Sequence, residues 1–281
     1  MFILARGNDA LNVNPPVGVD SALSVNGSDW LWVVMAMHLF AFLILLASCF
    51  AAPESDRVFH YLFTVALLVG SVTYLAQASD LGWSAVQDSS GAIHQLFYAR
   101  YINWVVSFPS VALALGLLSG VSWTTIITNI SITWLWVLTY LAAAYTPTDY
   151  KWAFFAFGTL SYVILAMSTL NESREAAGRL GIGRDYMMLA GWANLLWLLY
   201  PIAFGLSDGS NTIGVGGGFI FFGILDLLLL PVVSYGFVFL GRKWDWAGLH
   251  LAVSEARFDP HAATLPTNQD VPPTEGDKQV V

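Results

Sequence analysis

Lysine is scarce in this chain, with three in 281 residues, and none lies inside a long apolar run. Lys151 and Lys243 stand at the ends of such runs and Lys278 is near the C-terminus, so no apolar interior can draw on a primary amine. Cysteine is scarcer still. Cys49 is the only one, which excludes an intrachain disulfide and leaves a buried structural thiol as its expected role. Charged residues make up 11% of the chain, against about 25% in a typical soluble domain. The net charge of -8 comes partly from an acidic C-terminal tail and says little about partners; nucleic acid is not an expected one. There is no Gly-rich phosphate loop, no zinc-ligand spacing and no Gly-x-Ser-x-Gly elbow. The five histidines, at 38, 60, 94, 250 and 261, form no ligand cluster in sequence, so an enzyme is not expected. The apolar patch Phe2-Ile3-Leu4-Ala5 is shorter than a signal core, which leaves targeting to the first long run.

What is present is apolar and aromatic: 57% hydrophobic, with 12 Trp, 11 Tyr and 18 Phe. A membrane helix needs roughly 20 mostly apolar residues to cross about 30 Å of hydrocarbon. Seven stretches qualify, at 30–51, 58–78, 93–118, 122–144, 152–170, 187–206 and 217–240. Pro53 to Arg57, Asp80 to Gly91, Ser119-Gly120, Thr146 to Asp149, the charged segment from Asn171 to Asp185 and the Gly/Ser/Asn-rich segment from Ser207 to Gly218 separate them. The expected fold is all-α, a bundle of seven transmembrane helices over 30–243. An extracellular segment (1–29) precedes it, and a juxtamembrane amphipathic segment (244–258) and a disordered cytoplasmic tail (259–281) follow.

Orientation follows from the basic residues. Arg57, Arg174, Arg179, Arg184, Arg242 and Lys243 fall on one side, against Arg6 and Lys151 on the other. This predicts an N-terminus outside and a C-terminus in the cytosol. Asn26-Gly27-Ser28 is then an outward-facing glycosylation sequon, whereas Asn129-Ile130-Ser131 lies inside a span and is expected to be unmodified.

Several motifs are specific. The third span carries Ala99-Arg100-Tyr101-Ile102-Asn103-Trp104, then Ser107 and Pro109. The sixth carries Trp197, Tyr200, Pro201 and Phe204; the seventh carries Asp226; the second carries Tyr74. In this order the residues resemble the microbial (type 1) rhodopsins, over roughly 30–242. The resemblance implies a retinal pocket walled by Tyr74, Trp104, Trp197, Tyr200 and Phe204, with Arg100 one turn before a primary counterion and Asp226 as the second counterion. Three positions depart from it. Leu230 stands where the retinal lysine belongs, Asn103 where the primary counterion belongs, and Ala114 where proton pumps keep a carboxylate donor. A covalent retinal is therefore not expected. The runs Ala78-Ser79-Asp80-Leu81-Gly82-Trp83 and Asp149 to Gly158 resemble the fungal opsin-related branch, including heat-shock-protein-30-like membrane proteins that lack the lysine. That branch implies a stress-linked regulator or chaperone at the plasma membrane, with membrane lipids, the plasma-membrane proton ATPase and further copies of the chain as partners.

Losing the lysine and one carboxylate together leaves Arg100 and Asp226, which are expected to neutralise each other as a buried pair, since an unpaired buried charge is costly. The pair reads as a structural tie between spans or as part of a proton path. Tyr74, Asn103, Trp104, Trp197, Tyr200, Phe204, Asp226 and Leu230 read as a packed aromatic core, or as a pocket for a noncovalent lipid or sterol. Trp134 and Trp136 are candidates for filling the old chromophore space. His38, Gln77, Asn129 and Asn194 read as interhelical hydrogen-bonding residues or as elements of a path. The charged segment with Arg174, Glu175, Arg179, Arg184 and Asp185 reads as a solvated loop or a docking site. Pro201 and Pro231 are expected to kink their helices. Two other functions stand beside the regulator: a sensor or carrier for a hydrophobic ligand, and an ion transporter or light-driven pump.

Overall fold

In the computed structural model, residues 8–53, 57–87 and 91–246 are described. Seven helices are long and apolar enough to cross a membrane: Val25–Ala51, Val58–Ala78, Tyr98–Ser119, Trp123–Tyr145, Lys151–Arg179, Gly183–Gly209 and Gly214–Gly241. Each packs against the next, and the seventh closes on the first, giving a ring. Large apolar side chains such as Phe40, Ile127 and Phe157 stay exposed on its outside, where lipid rather than water satisfies them.

Several span boundaries differ from the sequence reading. The first span starts at Val25 rather than 30 because Ser24 caps it, its side chain accepting from the Gly27 N–H at 3.1 Å. Asn26 therefore lies exposed in the first turn of a helix. The third span starts at Tyr98 rather than 93. Ile93–Leu96 (β2) is instead paired antiparallel with Ser84–Gln87 (β1), in the register Ser84↔Leu96 to Gln87↔Ile93. The fifth span runs on through a π-helical turn at Ser168–Glu172 to Arg179, so the charged stretch up to 179 is helix, not loop. The sixth begins at Gly183 and ends in a second π-helical turn, Gly205–Gly209. The expected amphipathic segment and tail lie outside the described residues beyond Trp246.

The hairpin and the N-terminal segment seal one end of the bundle. The Asp20 and Ser21 N–H groups both donate to the Ile93 carbonyl, and the Leu23 N–H donates to Gln95 Oε1 at 2.6 Å. Ser28 Oγ donates to the Ala78 carbonyl at 2.6 Å, and Asn14 donates to the Ser79 carbonyl. Asp80 sits here in the left-handed region at φ 54°, buried, with Gln95 donating to Oδ1 at 2.8 Å and no partner for Oδ2 among the described residues.

Burial raises the Asp80 pKa above its ordinary 3.8, against the lowering effect of the Gln95 bond. A carboxyl with a higher pKa folded than unfolded holds extra protons in the folded state. Its cost to stability is therefore absent below the ordinary value and complete above the raised one. Asp80→Asn is expected to stabilise the protein at neutral pH and to lose that advantage as the pH approaches about 4. Thermal melts of both proteins in detergent across this range check it; a pH-independent difference would contradict the assignment.

Candidate functional site: a buried carboxylate ringed by donors

Asp226 occupies the centre of the bundle. The seventh span presents it to three other spans, each of which supplies hydrogen-bond donors. Tyr74 of the second span donates to Oδ2 at 2.6 Å, and Asn103 of the third donates to the same oxygen at 3.0 Å. Tyr200 of the sixth donates to Oδ1 at 2.5 Å, and Trp104 Nε1 of the third reaches Oδ1 at 3.1 Å. All five side chains are buried. A carboxylate is an acceptor-only group, so a shell of donors can satisfy it without a cation.

The expected Arg100–Asp226 pair does not form. Arg100 points instead to Asp208, with Nη1 at 3.1 and 3.0 Å from the two carboxylate oxygens, and Tyr101 donates to Asp208 at 2.6 Å. The guanidinium also lies over the rings of Phe219 (4.8 Å) and Phe222 (4.5 Å). Asp208 sits in the π-helical turn that ends the sixth span, a segment whose Gly/Ser/Asn composition reads as a loop. A lone acid one turn beyond Phe204 was the available signal, and helix continuation was needed to use it.

The side chains expected to wall a retinal pocket pack against one another. Trp104 meets Tyr200 edge to face at 5.4 Å. Phe108, which no sequence motif marks, contacts Tyr200 at 4.9 Å, Trp136 at 5.0 Å and Trp197 at 6.1 Å. Phe204 packs on Tyr140 at 4.5 Å. Leu230, one turn beyond Asp226, is 1% exposed. Trp136 fills this interior as expected, but Trp134 does not. It lies on the outer face, 45% exposed, and gives its indole N–H to the Val105 carbonyl at 3.1 Å. That carbonyl is the one Pro109 leaves without a helical donor.

The other polar candidates divide. Asn194 bridges the sixth span to the fifth through Thr169 Oγ1 at 3.0 Å. Gln77 bonds within its own helix, to the Thr73 carbonyl. His38 also bonds within its own helix, Nδ1 donating to the Val34 carbonyl at 3.0 Å, while its ring stacks on Tyr74 at 5.1 Å.

A family model described as "Bacteriorhodopsin-like protein" matches residues 27–244. The chain belongs to the bacteriorhodopsin-like family. Among its relatives is the Opsin-like protein carO of Fusarium fujikuroi, 35% identical over 90% of this chain and 87% of that protein. The 30 kDa heat shock protein of Saccharomyces cerevisiae is 29% identical, covering 95% of this chain and 87% of its own length. Among solved structures, the light-driven proton pump from Leptosphaeria maculans superimposes with a TM-score of 0.75 at 27% identity, covering 81% of this chain and all of that one.

Within this bacteriorhodopsin-like bundle, Gly70 leaves a notch beside the Asp226 shell. A Cβ there would lie 2.7 Å from His38 Cδ2 and 3.4 Å from Asn103 Oδ1. Gly70→Ala is expected to lower stability by roughly 1–3 kcal/mol through overpacking, read as a lower melting temperature in detergent. An unchanged melt would show that His38 moves aside freely.

Proposed function

We propose that this chain is a non-photoactive fungal opsin-related protein of the plasma membrane, a stress-linked regulator or chaperone acting through contacts with membrane proteins or lipids. Its N-terminus faces outward. The observation that carries the reading is Leu230, buried one turn from Asp226 in a chain whose lysines lie at a span end, beyond a span end and in the tail. The residues present do not fit a covalently held retinal. Among the described residues no lysine lies in the interior of a span to form the imine, and Phe108 and Trp136 meet Tyr200 and Trp197 across the space between them. The same contacts speak against a noncovalent ligand in that space and against a light-driven pump. A heat shock protein among the relatives supports the stress-linked role.

Added all-trans retinal is expected to give no visible absorption band, and borohydride no retinyl adduct on the chain. Crosslinking in membranes is expected to capture a specific protein partner, the proton ATPase being the first to test by its activity on deletion. A retinal-dependent band that shifts on illumination would overturn the proposal. A clean deletion with no partner and no change in the ATPase would remove the regulatory half of it.

A further inference from the structure

An open cleft of about 220 Å³, lined by both polar and apolar side chains, lies between the fourth and fifth spans, away from the Asp226 shell. Its place along the membrane normal follows from helix length. The fifth span has 29 residues. At 1.5 Å per residue it is about 43 Å long, longer than the hydrocarbon layer of about 30 Å. With Lys151 at the opposite boundary, Glu172 lies 21 residues on, about 32 Å at this rise, which puts it at head-group level. Ser168 lies one turn deeper, and Asn129 lies one turn deeper than Thr125 on the facing helix.

The side chains follow an order along this axis. On the outer level is Glu172, the sole charged residue of the lining, held in place by Thr125 Oγ1 donating to Oε1 at 3.0 Å. On the inner level are Asn129, 1% exposed, and Ser168. Neither Asn129 Nδ2 nor Ser168 Oγ has a hydrogen-bond partner among the described residues. Ile132 and Ile164 add apolar surface, and Thr124 and Thr128 complete the lining. Unpaired buried donors are costly, and the π-helical turn carrying Ser168 and Glu172 is a local distortion often found at functional sites.

We propose that this cleft binds the head region of a glycerophospholipid with a primary-ammonium head, as in phosphatidylethanolamine. Read outward from the hydrocarbon, such a lipid presents ester and phosphate oxygens and then an ammonium group. The cleft presents the complement in the same order: the Asn129 and Ser168 donors, then the Glu172 carboxylate. A primary ammonium offers three N–H donors to Glu172, and a choline head offers none. An anionic head would place its charge against Glu172 with no cation in the lining to offset it. The inference requires only that the spans lie in a bilayer and is independent of the stress-linked role.

The test uses the full chain in nanodiscs of phosphatidylcholine, phosphatidylethanolamine and phosphatidylglycerol in equal parts, with retained lipids identified by native mass spectrometry. The wild type is expected to retain the ethanolamine lipid about tenfold over the other two, the effect of one charge-assisted hydrogen-bonded contact. Glu172→Gln is expected to bring the ethanolamine and choline lipids to near parity, and Asn129→Leu to lower retention of all three. Wild-type parity or a preference for the anionic lipid overturns the assignment without any variant. An undiminished ethanolamine preference in a folded Glu172→Gln protein overturns it as well.

Discussion

Asp226→Leu is expected to be among the most damaging single substitutions in the bundle. It leaves four buried donors, from Tyr74, Asn103, Trp104 and Tyr200, facing hydrocarbon. An unsatisfied buried donor costs about 1–3 kcal/mol, and four coupled ones do not add fully, so a loss of roughly 4 kcal/mol or more is expected. That corresponds to a fall in melting temperature on the order of 10 °C for a protein of this size. Tryptophan fluorescence during thermal unfolding in detergent measures it. Adding Tyr74→Phe and Tyr200→Phe to Asp226→Leu is expected to recover part of the loss, because removing both partners of a buried hydrogen bond is far cheaper than removing one. Wild-type melting of Asp226→Leu would mean that Asp226 is not the hub of this core.

The second large effect concerns Arg100. Arg100→Met removes the cation from Asp208, whose side chain is 13% exposed, and breaks a pair whose arginine side chain is 4% exposed. Breaking a buried ion pair by removing one partner costs about 3–5 kcal/mol, and the partial exposure of Asp208 places the expectation at the lower end, about 3 kcal/mol. Partner choice is tested by double-mutant cycles. Coupling between Arg100→Met and Asp208→Leu is expected at about 1–3 kcal/mol, and coupling to Asp226→Leu is expected to be smaller. The reverse ranking would restore the Arg100–Asp226 pair and refute the geometry described above.

Much of this architecture is legible in the chain, because hydropathy compared with bilayer thickness is a local property. Helix ends are less so. Ile93–Leu96 reads as the start of the third span on apolarity alone, yet its backbone pairs with a strand six residues earlier in the chain. Asn171 to Arg179 reads as a loop on charge alone, yet the helix continues there, and the exposed Glu175–Arg179 pair is what a solvated helix face tolerates. Asp226 and the side chains that donate to it were legible as a set, whereas Asp208 was not, because its segment reads as a loop. Phe108 was not, because a phenylalanine one turn after Trp104 is unremarkable until Trp136 and Tyr200 are brought to its edges.

From the residues alone come seven apolar spans, an aspartate inside the last of them, and no lysine amine within reach of it. Each is a property of the covalent chain, read segment by segment against the solvent it must lie in. The tertiary structure decided that Arg100 pairs with Asp208, that Asp226 is held by neutral donors, and that Trp136 turns inward while Trp134 turns out. Those outcomes depend on the rotation and depth of helices distant in sequence relative to one another. Close packing and the cost of an unpaired buried polar group select among the alternatives only once all seven spans are in place.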